Sequence, residues 1–107
     1  MAELRMTTPR LLVLHAFLDD PTQERYGLEL ATAAGLEPGT IYPILVAFEN
    51  AGWLSSREEQ VDPHLEGRPR RRYYTLTADG VGAVRDVLAE NARRRGRRAT
   101  STRKLAW

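Results

Sequence analysis

The sequence predicts a small α+β fold, mainly helical, on three observations. Four segments carry apolar residues at three- and four-residue spacing, the repeat of a helix with one buried face. Two short β-prone runs, Trp53 to Arg57 and Arg72 to Leu76, lie between the third and fourth of these segments. A polar stretch with Asp62-Pro63, Glu66-Gly67 and Arg68-Pro69 separates them, as in a hairpin with a long, mobile tip. Gly52 stands where the third helix must stop and the first strand begin, and glycine most readily takes the left-handed conformation of such a stop. Three helices, a two-stranded wing and a closing helix give the order of a winged helix-turn-helix with one C-terminal helix.

At 107 residues the chain has material for one core. Thr7-Thr8-Pro9 offers a cap and an early proline whose missing N–H costs nothing in a first helical turn. Leu11, Leu14, His15 and Leu18 follow three or four apart, with Leu12, Val13 and Phe17 widening the apolar arc. His15 is expected as a hydrogen-bonded histidine in or beside the core. Asp19-Asp20-Pro21 ends this helix, because proline disfavours helical geometry in the residue before it. The second helix is expected from Thr22 to Ala34, with Tyr26, Leu28, Leu30, Ala31 and Ala34 turned to the core, and it ends at Gly35. Gly27 costs that helix about 1 kcal/mol relative to alanine, so it reads as a place where a neighbour packs on bare backbone.

Ile41, Ile44, Leu45 and Phe48 form the buried side of the third helix. Its start falls between Glu37 and Thr40. If it starts early, Pro43 breaks one internal bond at about 3 kcal/mol; if Thr40 caps it, Pro43 lies harmlessly in the first turn. Thr77-Ala78-Asp79-Gly80 looks like the cap and first turn of the fourth helix, with Asp79 at the positive end of its dipole. The apolar side of this helix, Val81, Val84, Val87, Leu88 and Ala92, is wide and has no later helix to cover it, which predicts dimerisation through it. The chain thus divides into a winged domain (1–76), a dimerisation helix (77–92) and a basic, flexible tail (93–107), in which Trp107 has no assigned role.

Composition removes several functions. The chain has no cysteine and only two histidines, His15 and His64, which leaves no good metal-ligand set, and no cofactor is expected. It has no phosphate-cradling glycine loop and no serine, histidine and acid in a nucleophilic arrangement, so an enzyme is not expected. No apolar run approaches a membrane span, and the start lacks a signal peptide's apolar core, so a cytoplasmic protein without membrane contact is expected. The net charge of +2 conceals an asymmetry: residues 1–92 carry nine basic and fourteen acidic side chains, a net −5, while the tail carries +7.

Two clusters point to a partner. An ordinary core helix accounts for the apolar side of the third helix but not for Gly39, Thr40 and Tyr42 at its exposed start. Arg68, Arg70, Arg71 and Arg72 run into Tyr73-Tyr74 on the return side of the hairpin, where a wing meets the phosphate backbone or minor groove of DNA. Alternation along a strand sends Arg70 and Arg72 one way and Arg71 the other. From Gly39 to Gly52 there is no Lys or Arg, so a bidentate guanine contact cannot come from this helix. The acidic body supports a different reading, a winged helix that binds another protein and touches DNA little.

The chain resembles the PadR family of bacterial transcriptional regulators from about Thr8 to Glu90. Four ordered blocks carry the resemblance: Tyr26-Gly27-Leu28-Glu29-Leu30; Gly39-Thr40-Ile41-Tyr42-Pro43-Ile44-Leu45; Glu49-Asn50-Ala51-Gly52-Trp53-Leu54; and Gly67-Arg68-Pro69-Arg70 with Arg72 through Gly80. The resemblance implies a homodimer on palindromic operator DNA, usually a repressor, touching DNA through Thr40, Tyr42 and the arginines from Arg68 to Arg72. It also implies a small aromatic or drug-like effector between wing and dimerisation helix, for which Trp53 and Tyr73 or Tyr74 are the candidate lining, although aromatics at these strand positions are more often core. Two departures stand out. Ala47-Phe48 replaces the family's usual arginine and leucine, and the C-terminal region is short for a separate effector domain.

Overall fold

The computed structural model describes the backbone of residues 4–105 and the side chains of residues 4–97. In order these form α1 (Thr8–Leu18), β1 (Arg25–Tyr26), α2 (Gly27–Ala34), α3 (Pro38–Asn50), β2 (Leu54–Glu58), α4 (Pro63–Glu66), β3 (Arg72–Leu76) and α5 (Ala78–Leu105).

Thr7 caps α1 by accepting from the Arg10 N–H at 3.4 Å. The buried face of α1 is Val13, Leu14, Ala16 and Phe17, while Leu12 and His15 face solvent. His15 is therefore a surface residue, contrary to expectation. With nearly every position of α1 apolar, the side that meets α2 and α3 is set by packing rather than by periodicity.

The second helix is shorter than expected. Arg25 and Tyr26 pair with β3 as a third strand, in register Arg25↔Tyr74 and Tyr26↔Tyr73, and α2 begins only at Gly27. The sheet is antiparallel in the order β1-β3-β2. Arg25 donates to Glu29 at 3.3 Å and to the Ala16 carbonyl at 2.5 Å, which ties β1 to both α1 and α2. Leu28, expected in the core, is 54% exposed.

Gly35 ends α2 in the left-handed conformation, φ 70°, and the Leu36 N–H bonds back to the Ala31 carbonyl at 2.8 Å. After this turn α3 runs at 109° to α2, the crossing of a helix-turn-helix. No single described helix is long and apolar enough to cross a membrane. The apolar content of the pair is its core face: Leu30, Ile41, Leu45 and Phe48 are buried with Val13, Leu14 and Phe17 of α1.

α3 takes the early start. Glu37 occupies the cap position and Pro43 lies inside the helix, so the Gly39 carbonyl loses the amide that would have bonded it. Gly39 is exposed, and water can serve that oxygen. Gly52, with φ 82°, turns the chain into β2 as expected. The wing tip is more ordered than expected: Asp62 accepts from the His64 N–H at 2.9 Å, α4 makes one turn, and Gly67 stops it at φ 69°.

α5 is pinned at its start. The Thr77 hydroxyl donates to the Gly52 carbonyl at 2.7 Å and accepts from the Gly80 N–H at 2.9 Å, and the Thr77 N–H donates to the Trp53 carbonyl at 3.0 Å. Val84 is wholly buried in the core of its own chain, so it has no surface to offer a partner; Val81, Val87 and Leu88 are partly buried against that core. The helix does not stop near residue 92. It continues to Leu105, so the segment expected as a flexible tail is helical that far. Glu90 helps by pairing with Arg93 at 2.7 Å, Arg94 at 3.3 Å and Arg97 at 3.5 Å along the helix. Trp107 lies outside the described residues.

Candidate nucleic-acid interface

The start of α3 is open to solvent. Gly39, Thr40, Tyr42 and Pro43 are all exposed, because Ile41, Ile44 and Leu45 turn the other side of the helix into the core. Tyr42 is held as well as displayed. Its ring lies over Gly27, so close that a β-carbon on Gly27 would stand 2.5 Å from Tyr42 Cε1. The packing role read for Gly27 thus has a specific partner: the bare backbone at the start of α2 seats the tyrosine of the next helix. Val46, one turn further along α3, continues the exposed face at 52% exposure.

The wing arginines are not a free positive patch. Arg68 grips Glu59 with two nitrogens at 2.7 and 3.1 Å and donates to the Pro69 carbonyl at 3.2 Å. Glu59 also accepts from the Arg71 N–H at 3.2 Å and the Tyr73 hydroxyl at 3.3 Å. The Arg68 guanidinium, helped by the Arg71 amide, holds the Glu59 carboxyl well below its ordinary range, at about 2. Arg68 is therefore a clamp across the wing base. Arg70 donates to the Val61 carbonyl at 2.8 Å and lies 3.5 Å from Glu58; Arg72 lies 3.7 Å from the same carboxylate and donates to Ser56 Oγ at 3.1 Å. Both guanidinium groups remain about half exposed, with Glu58 as their shared counter-charge.

Arg71 leaves the strand on the other side, as alternation requires, and stacks over the Tyr26 ring at 4.2 Å. Tyr26 meets Tyr73 edge-on at 5.9 Å, and Arg57 covers Tyr73 at 5.0 Å while gripping Glu24 at 2.6 and 2.7 Å. This pairing lowers the Glu24 carboxyl and raises the Arg57 guanidinium from their ordinary values. Arg57 and Glu24 were not picked out from sequence, because their separation of 33 positions hides a contact that only β1 brings about.

The three aromatics assigned to an effector do not meet in one site. Tyr74 is buried at 4% exposure, where desolvation raises its hydroxyl above the ordinary value, and Tyr73 lies in the Arg57 and Tyr26 stack. Trp53 reaches a cavity. Stacked on Phe48 at 5.5 Å, it lines an open groove of about 680 Å³ between α5, the end of α3 and the segment before α1. Leu4, Met6, Leu11 and Val87 supply the apolar lining, and Arg5, Asp86, Glu90 and Arg94 the charged part. Leu4 and Met6 went unread, although their alternation with Glu3 and Arg5 was a visible sign of an extended segment with one apolar side.

The model of the transcriptional regulator PadR-like family matches residues 13–86. The chain belongs to this family. It is thus a PadR-like DNA-binding transcriptional regulator with a winged helix-turn-helix fold, and not an enzyme, which favours DNA over a purely protein-binding role for the helix-turn-helix. A protein of Streptococcus mutans UA159 of known structure is 26% identical, with a TM-score of 0.64, over 86% of this chain and 87% of its own. A PadR family transcriptional regulator from Eggerthella lenta DSM 2243 is 25% identical, with a TM-score of 0.60, over 77% of this chain and 73% of its own. The fold is also that of Bordetella bronchiseptica BpsR, whose DNA binding is regulated by 6-hydroxynicotinic acid: TM-score 0.67, 16% identity, 87% of this chain covered. The PadR-like chain spans 64% of the BpsR chain. No curated protein matches the sequence.

Proposed function

We propose that this PadR-like regulator is a cytoplasmic repressor that binds a palindromic operator as a homodimer and releases it when a small molecule occupies the Trp53 groove. The observation that carries the reading is the corner where Tyr42, seated on Gly27, opens to solvent at the start of α3, with half-exposed Arg70 and Arg72 on the wing. Thr40 and Tyr42 contact base edges or phosphate from the helix start, while Arg70 and Arg72 hold the flanking backbone. Arg68 and Arg71 act behind them, one clamping the wing base and the other bracing β1. Gly39, where a β-carbon would meet nothing within 4 Å, lets the backbone approach the duplex closely.

Val81, Val87 and Leu88 are the part of α5 left for a second copy once Val84 is assigned to the core. Two heads carried this way engage half-sites about 34–36 Å apart or a multiple of that spacing. The groove beside α5 is mainly apolar with a charged rim, which suits a small aromatic effector bearing a polar group. BpsR, which shares the fold, answers to a ligand of this kind.

The test is a fluorescence-anisotropy titration of the DNA upstream of the regulator's own gene, with light scattering for the oligomeric state. A dimer that prefers this DNA over random duplex supports the reading; a monomer, or equal affinity for both, rejects it. Arg70→Ala should weaken binding to every duplex and reduce the salt slope by about 0.9, one phosphate contact's worth.

A further inference from the structure

The outward face of the helix-turn-helix is apolar where a groove-reading surface usually carries charge. Tyr42 and Val46, one turn apart on α3, are 44% and 52% exposed, and Leu28, which follows the glycine that seats Tyr42, is 54% exposed. Single exposed apolar residues are ordinary on protein surfaces. Tyr42 and Val46, sharing one exposed face of a helix that crosses its neighbour at 109°, in a DNA-binding family, form a surface that needs a partner. The partner's chemistry is restricted by what α3 lacks. It has no Lys, Arg or Asp, and its one acid, Glu49, is half-buried and accepts from Ser56 Oγ at 2.6 Å. Guanine recognition by a forked cation and cytosine recognition by a free carboxylate are therefore both closed to this helix.

One feature of the major groove remains that an aliphatic side chain recognises, the C5-methyl group of thymine. Resting on the DNA-binding reading above, we infer that Val46 is a specificity residue that packs against thymine methyl groups, with Tyr42 one turn away on the same face, so that each half-site is selected for thymine at one or two positions. Hydrogen bonds from Thr40 and Tyr42 set the register of the helix, and the methyl contact discriminates. Burying one methyl-sized group is worth about 0.8 kcal/mol, or about fourfold in affinity.

The experiment begins with selection of duplexes from a random library by the full-length wild-type protein. If no sequence is enriched, the DNA-binding reading itself fails. On an enriched duplex, each thymine is then replaced by deoxyuridine, which removes the methyl group and leaves base pairing intact. The expected result is a loss of about fourfold at one or two positions per half-site. That loss should disappear in Val46→Ser and in Val46→Asn, polar variants at an exposed position that carry no methyl group and whose folding is checked by thermal melting. The inference is overturned if every thymine tolerates the replacement within twofold, if the enriched half-site needs no thymine, or if the methyl dependence persists undiminished in both Val46 variants.

Discussion

Replacing Gly27 with alanine should separate folding from DNA binding. The new β-carbon would lie 2.5 Å from Tyr42 Cε1 and 2.9 Å from both Cζ and the hydroxyl oxygen. Comfortable carbon contacts begin near 3.5 Å, so the ring must retreat by about 1 Å. If the ring were fixed, such overpacking would cost about 1–3 kcal/mol. Tyr42 is 44% exposed and the clash falls on the far end of its side chain, so it can swing outward and relieve most of that strain. Alanine also returns up to about 1 kcal/mol of helix propensity. The net change in folding free energy should stay within about 1 kcal/mol, a shift of only a few degrees in Tm. Binding should suffer more, because the hydroxyl leaves its seat: one hydrogen bond of about 1.4 kcal/mol is tenfold in affinity. Urea melts and anisotropy on the selected duplex, for Gly27→Ala, Tyr42→Ala and the double variant, form a cycle in which the second substitution adds nothing to binding once the first is present. Wild-type affinity in Gly27→Ala, or fully additive losses, would refute the reasoning.

Gly80→Ala should behave differently, because its β-carbon would stand 2.1 Å from the Trp53 carbonyl oxygen, a backbone atom already held by the Thr77 N–H. A loss of at least about 2 kcal/mol is expected in urea melts, and a Tm within a degree of wild type would show that the junction can shift. The Glu59 clamp makes wing stability depend on pH. Its folded carboxyl titrates at about 2 against an ordinary 4.5, so its contribution is complete above pH 4.5 and is lost as the pH falls from there through 2; in denaturation series Glu59→Gln should flatten this acid limb. Glu58→Gln releases Arg70 and Arg72 from their shared counter-charge and should tighten binding to any duplex severalfold; Asp19→Asn, equal in charge change but at the end of α1 and paired with neither arginine, should do so far less. Equal effects of the two variants in anisotropy titrations would mean that only net charge matters.

The features legible from the sequence were those fixed by local chemistry. The buried side of α3, the Gly52 stop, the Gly35 turn and the Thr77 cap depend on residues within a few positions of one another, and each stands where expected. β1 was illegible because two residues carry no periodicity of their own; Arg25 and Tyr26 are strand only because β3 lies beside them. The exposure of Thr40 and Tyr42 followed from the period of α3, but not the seat on Gly27, which joins two helices. The arginines were visible and their partners were not. Glu58 faces Arg72 through the hairpin register, and that register depends on a tip whose single helical turn is too short to signal itself. Val84 was misassigned because an apolar stripe does not say which part meets its own domain and which a second copy.

The Thr77 rivet makes a lever of α5. Its 28 residues form one uninterrupted rod, about 42 Å long, fastened at the near end to the turn that closes α3. Tilting such a rod by about 10° sweeps its far end through about 7 Å, so a slight wedge driven in beside Trp53 is magnified along the shaft. In the proposed dimer, a modest twist where the two shafts meet would swing the reading corners apart by a similar stroke, enough to lose step with successive turns of a duplex.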